Sequence, residues 1–285
     1  MHPSAPEDLP GLVDAFAHTI QAVADLAATC SDKDFDKPTD CPGWSVKDQV
    51  SHVVAVELHL LGRADPSIEV PDYDHVRGPI GAMMENGVEL RRSRAGKEIA
   101  TELERLIPER VGRLRDPSLT LDTEVPGLRR PGPLGDVLRL RISDVWCHEQ
   151  DIRTALARPG NLDSPAAAVW VETILNALPE IVVERAKIEP GRVVMIELTG
   201  PIIARSGVRV DTDEDGTPVG RLMFSGGSDE TGPIPAIGKT TSLQLSTEAF
   251  ARRGAGRRPV ADLRYSVHGD EDVARRVLEA LAIAP

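Results

Sequence analysis

The stretch SDVWCHEQD, Ser143 to Asp151, holds two aspartates, a cysteine and a histidine in a run that otherwise has helical periodicity. On a helix Asp144 and His148, four positions apart, project side by side, and Asp151 follows on the same face. Upstream, Asp48 and His52 repeat that spacing, with His59 two turns beyond. If the two helices face each other, His52 meets Asp144 and His148. Two imidazoles and one carboxylate make a ligand set for a divalent metal with positions left open, the pattern of a catalytic rather than a structural zinc site. The same spacing also arises where a carboxylate and an imidazole simply pair along a solvated helix face. Spacing alone leaves both readings open.

The elements that must carry these residues are legible as apolar stripes. Leu9, Leu12, Val13, Phe16, Ile20, Val23 and Leu26 recur at helical spacing, which predicts a first helix. DKPTDCPGW then interrupts the chain, and Ser45 with Asp48 three residues on resembles a capping box that opens a second helix ending near Gly62. A Pro-, Asp- and Gly-rich loop spans about 64–79. Apolar residues from Ile80 to Val111 then predict one long helix or two broken near Gly96. A further helix runs from Leu134 to about Leu156. Helices of about 20 residues in this arrangement form a four-helix bundle, which builds metal and ligand sites from inward side chains.

Beyond residue 160 the character changes. Ser164-Pro165 opens another helix, to about Arg185, and β-prone runs follow at 192–198, 207–211, 220–224, 242–246 and 261–267. Two helices punctuate them, near Thr247–Arg253 and Glu271–Leu281. The expected class is α+β: a bundle over residues 1–160 and a smaller α+β domain over 161–285.

Composition narrows the function classes. A net charge of −12 argues against non-specific nucleic-acid binding. No apolar run is long enough to span a bilayer, and MHPSAPEDLPG lacks the features of a signal peptide, so a cytoplasmic protein is expected. The three scattered cysteines, Cys30, Cys41 and Cys147, give neither a disulfide framework nor a C-x-x-C motif. Arginine far outnumbers lysine, which is compatible with a GC-rich host.

CPGWSVKDQVSH (Cys41–His52), followed by DVWCHEQDIRTALARPG (Asp144–Gly160), resembles the mycothiol-dependent maleylpyruvate isomerase family. The first motif keeps every fixed position except Gln49, where the family has leucine. The second keeps His148, Asp151, Ile152 and Ala155 but has Asp144 in place of glutamate. STEAFARRGAGRR and VHGDEDVARRVLEAL resemble the family's C-terminal domain. The resemblance implies a DinB-like helical bundle, a sterol-carrier-like second domain, and metal ligation by His52, Asp144 and His148. Asp144 is one methylene short, setting its carboxylate back by about 1.5 Å against metal–oxygen bonds of about 2.0–2.2 Å. Trp44 is expected to plug the start of the second helix. Asp48 and Asp151 are expected to receive ligand N–H groups. Cys147 reads as a small buried residue, and His18, His59, His75 and His268 as ordinary ones.

The implied chemistry is activation of a thiol. A divalent metal, with zinc expected and nickel or cobalt also suited, lowers the pKa of an acid bound to it. Mycothiol as cosubstrate would then add to an electrophilic small molecule, as a cis–trans isomerase or as an S-transferase. Two alternatives stay open: a metal-dependent hydrolase using water, and a non-catalytic metal- or ligand-binding module of the same fold. No nucleic-acid or membrane partner is expected.

Overall fold

The structure is a computed structural model that describes residues 4–223 and 239–283. It divides into two compact units, Ser4–Asn161 and the residues from Leu162 onward. The first is helical: α1 (Leu9–Ala28), α2 (Asp32–Phe35), α3 (Val46–Leu60), α4 (Gly78–Glu89), α5 (Gly96–Leu114) and α6 (Leu134–Ala155). A minimal hairpin, β1 (Glu124–Val125) and β2 (Gly132–Pro133), precedes α6.

The apolar stripes predict the buried faces well. On α1, Leu12, Phe16, Ile20 and Val23 are wholly buried, and the helix packs on α5 and α6. On α3, Val46, Val50, Val53 and Val54 are wholly buried, and this helix contacts α4, α5 and α6. The apolar residues between 80 and 111 form two helices, with the break before Gly96.

The start of α3 is tightly specified. Ser45 Oγ accepts the Asp48 amide, while Asp48 Oδ2 accepts the Ser45 amide at 2.8 Å and the Ser45 hydroxyl at 2.9 Å. Just before it the chain doubles back: the Thr39 amide donates to Trp44 O and the Val46 amide to Lys37 O, each at 3.0 Å. Gly43 makes this turn possible. Its φ is +76°, and a Cβ there would lie 2.2 Å from His75 Nδ1.

The second unit contains α7 (Pro165–Asn176), the short α8 (Leu178–Glu180) running into a π-turn at Ile181–Arg185, α9 (Thr247–Gly254) and α10 (Glu271–Ala280). Its strands are β3 (Val193–Thr199), β4 (Ile203–Thr212), β5 (Pro218–Met223), β6 (Thr240–Leu245) and β7 (Tyr265–His268). They form a five-stranded sheet in the order β5-β4-β3-β6-β7, antiparallel except for the central β3–β6 pair. The α+β class therefore holds.

Three local expectations need correction. The helix foreseen over 166–185 breaks at Ala177, because Pro179 has no N–H for a continuing ladder. The strand foreseen from Ala261 begins only at Tyr265, after a 3₁₀ turn over Val260–Asp262. β4 starts four residues earlier than its apolar run suggests. The Gly- and Pro-rich stretch SGGSDETGPIPAIG, and Phe224 at the end of one expected strand, lie outside the described residues. Among the described residues no single helix is long and apolar enough to cross a membrane.

The capping box yields a direct test. Ser45→Ala should lower stability by about 1 kcal/mol in a denaturant titration, because it removes the side-chain acceptor at the helix start. Ser45→Asp should largely retain it.

Candidate metal centre

Helices α3 and α6 carry every residue at the heart of the site. His52 of α3 places Nε2 3.2 Å from Asp144 Oδ2 of α6. His148, one turn after Asp144, places its own Nε2 3.4 Å from Oδ1. The two imidazole rings lie 4.5 Å apart by their centroids. One ligand atom from each residue fits within a mutual separation of 4.8 Å, so the trio could hold a metal ion. Bonds of about 2.0–2.1 Å in a tetrahedral site imply ligand–ligand separations of about 3.3 Å, against 3.2 Å and 3.4 Å from the two Nε2 atoms to the two different oxygens of Asp144.

Both imidazoles are buried, whereas 31% of the Asp144 side chain is exposed. Water therefore reaches the trio from the carboxylate side. Trp44 closes another side, its ring centroid 5.0 Å from that of His52 and 5.7 Å from that of His148. Its indole N–H donates to Glu85 Oε2 at 2.8 Å. Trp44 thus plugs the start of α3, as expected, and also forms a wall of the site. Glu85 in turn holds Arg92 and His75, the latter at 3.0 Å. Burial pushes its pKa up, but these hydrogen bonds outweigh that and lower it. His75, read from the sequence as an ordinary histidine, is part of this support.

The charges beneath the trio are closely matched. Arg141, three residues before Asp144, is 1% exposed. It donates from Nη1 to Asp144 Oδ2 and from Nε to Glu57 Oε1 at 2.9 Å. Glu57, wholly buried, receives Arg110 Nε at 2.6 Å on its other oxygen. Two carboxylates and two guanidinium groups therefore cancel. The cost of burying charge is met by pairing.

This arrangement separates the titrations of the two histidines. Burial drives the His52 pKa down to about 4, because the Asp144 carboxylate offsets too little of the desolvation. Burial also opposes charge on His148, but there the carboxylates of Asp144 and Asp151 win and raise its pKa. Asp144 is held well below the carboxylate range: Arg141 and both imidazoles outweigh its burial.

The surroundings of the three residues differ from expectation. Asp48 does not receive an imidazole N–H; its carboxylate caps α3 and lies 3.5 Å from Arg92. Asp151 is wholly buried but sits 3.7 Å from His148 Nδ1, too far for a good hydrogen bond. The acceptor for that nitrogen is Gln49 Oε1. His52 Nδ1 is buried without a hydrogen-bond partner among the described residues. His59 is at the end of α3, beside Val56 and Met83, and does not join the trio. Cys147 is buried, and none of the three cysteines is in a disulfide. Sequence reasoning missed Glu57, Arg110 and Arg141. The available signal was the i,i+3 placement of Arg141 before Asp144 and the two charges on otherwise apolar helix faces.

Residues 16–153 match the family profile of the mycothiol maleylpyruvate isomerase N-terminal domain. The helical unit belongs to that family. Two solved structures share the fold of this chain. One is the mycothiol-dependent maleylpyruvate isomerase, at 13% identity and a TM-score of 0.54. The other is a histidine-to-alanine mutant of the mycothiol-dependent maleylpyruvate isomerase, at 14% and 0.55. In both, the similarity covers 90% of this chain and 92% of the other. No curated protein sequence matches the chain.

Two outcomes follow from the charge arrangement. Glu57→Leu should destabilise the fold by about 3–5 kcal/mol in chemical denaturation, since it strands the buried Arg110 guanidinium and takes from Arg141 one of its two carboxylates. In chelator-treated protein, His52 has a folded pKa near 4 against 6.5 unfolded, so the unfolded state binds the extra proton between those values. Stability should fall as pH drops through that window, and His52→Gln should remove this part of the slope. His148 acts with the opposite sign: its contribution is present below pH 6.5 and is lost as pH rises through its raised folded pKa.

Proposed function

We propose that the chain is a divalent-metal enzyme, with zinc the expected ion, in which His52, Asp144 and His148 are the ligands and mycothiol is the thiol cosubstrate. The observation that carries this reading is the convergence of two imidazole Nε2 atoms on one carboxylate, with room for a metal between them. The donor set suits a borderline metal, and the separations suit tetrahedral coordination. Arg141 occupies Oδ2 of Asp144, which leaves Oδ1 as the less committed oxygen.

A metal at this position lowers the pKa of a bound thiol, giving a thiolate at neutral pH. Asp144 and Glu57 are paired with Arg141 and Arg110, so the Asp144 charge is shared with a guanidinium and would only partly neutralise a dication. Burial of both imidazoles and the Trp44 wall exclude water from the inner side. Asp144, facing water, marks the side from which thiol and substrate enter.

The thiolate sulfur would add to the β-carbon of a double bond conjugated to a carbonyl, forming a C–S bond and an enolate. Rotation about the resulting single bond, then return of the electron pair to expel the thiolate, gives the trans isomer with no net redox change. If the adduct instead takes a proton or loses a leaving group, the same step makes an S-transferase. The non-catalytic alternative draws on Arg141, whose hold on Oδ2 competes with metal binding.

The decisive measurement is metal content of protein purified without chelator or affinity tag, beside a His52→Ala/His148→Ala double variant. About one equivalent of zinc in the wild type, lost in the variant, supports the reading. Isomerisation of maleylpyruvate or consumption of electrophiles should then depend on added mycothiol. Turnover without thiol would identify a hydrolase instead, and metal absent even after reconstitution would leave only a ligand-binding module.

A further inference from the structure

We infer that Gln49 is a positioning residue that fixes the tautomer and ring orientation of His148. The inference rests on the metal-site reading for its consequence, but its geometry stands on the protein alone.

Gln49 is wholly buried on α3, one turn before His52. Its side chain bridges two groups: Nε2 lies 2.7 Å from Thr39 Oγ1, and Oε1 meets His148 Nδ1. An amide oxygen and nitrogen have nearly the same shape, so their assignment must come from the network. Here the network decides it. The Thr39 hydroxyl donates its one hydrogen to the carbonyl of Trp44 at 2.8 Å, and a carbonyl can only accept. Toward Gln49 the hydroxyl must therefore accept, which requires the NH₂ group on that side. The oxygen then faces His148, and its partner there must be an N–H.

His148 consequently carries hydrogen on Nδ1, and in the neutral ring Nε2 holds the lone pair. That lone pair faces Asp144 Oδ1 at 3.4 Å, the position where a metal would sit. The relay runs from Trp44 O through Thr39 and Gln49 to His148. It also couples the wall of the site to one ligand, since the Trp44 ring lies 5.7 Å from that imidazole by their centroids, tilted by 33°. His52 has no such device: its Nδ1 lacks a partner among the described residues. Asp151 Oδ2 lies 3.7 Å from the same Nδ1, farther than the Gln49 amide oxygen. Gln49 thus supplies a neutral acceptor in a place where the family motif carries leucine, in the chain that also carries the shortened ligand Asp144.

The test uses the full-length protein with Gln49→Leu, of similar size but without hydrogen-bonding atoms, and Gln49→Glu, which keeps an acceptor at the same point. Zinc affinity is read by chelator competition, and the His148 tautomer by ¹⁵N NMR of the imidazole in metal-free protein at alkaline pH. The His148 signal is identified by its loss in His148→Ala. Expected results are Nδ1–H in the wild type, a mixed tautomer in Gln49→Leu with about 10- to 100-fold weaker zinc binding, and recovery of both in Gln49→Glu. A Gln49→Leu protein with an unchanged imidazole spectrum, or with zinc affinity within about threefold of wild type, would overturn the inference. Wild-type protein that binds no zinc would defeat the metal reading and the affinity consequence, while the imidazole spectrum would still decide whether Gln49 sets the tautomer.

Discussion

Glu57 has no exposure to solvent, and an ionised carboxylate in such a place survives only if cations meet it directly. Arg110 of α5 and Arg141 of α6 do so, one on each oxygen, and Arg141 continues to Asp144. Three helices, α3, α5 and α6, are thereby tied through the one carboxylate of Glu57. Apolar packing between helices tolerates small slides and rotations, whereas charge-assisted hydrogen bonds of this kind have demanding lengths and directions. The cluster adds little net stability compared with an apolar core of equal volume. Its contribution is register: it fixes which faces of α3 and α6 oppose each other, and those faces carry His52, Asp144 and His148.

The two imidazoles share a carboxylate but are held by different physics. His148 is held by a hydrogen bond at its far nitrogen, whereas the far nitrogen of His52 has none among the described residues and its ring lies against Trp44. Burial opposes charge on both, yet only His148 has enough nearby negative charge to reverse the effect. In the absence of metal the pair is thus one neutral ring beside one readily charged ring.

Much of this was legible in the sequence. Apolar periodicity located the long helices, because their buried faces are continuous stripes such as Leu12, Phe16, Ile20 and Val23. Four-residue spacing put Asp144 and His148 on one face, and the Ser45–Asp48 box set where α3 begins. The supporting charges escaped notice because their partners are remote: Glu57 meets Arg110 and Arg141 from 53 and 84 positions away. A lone arginine on a helix reads as a solvated residue until its neighbour is known. Asp48 was assigned to an imidazole because a carboxylate at i−4 from a ligand can serve either a ring or a helix end, and only the backbone decides which. In the second unit, short strands bounded by Gly and Pro were found, but their ends shifted where a turn such as Val260–Asp262 consumed residues of suitable composition.

The capping box has a further consequence for how this segment can vary. Ser45 fixes the first turn of α3, so the direction of His52 is set by counting seven residues from that cap at about 100° each. One inserted or deleted residue between them would swing the imidazole through more than a quarter turn and carry it off the face opposite α6. Segments outside the cap, such as the long connection between α3 and α4, face no such arithmetic. Length variation among relatives should therefore accumulate in that connection, and the interval from Ser45 to His52 should stay constant in length even where its residues change.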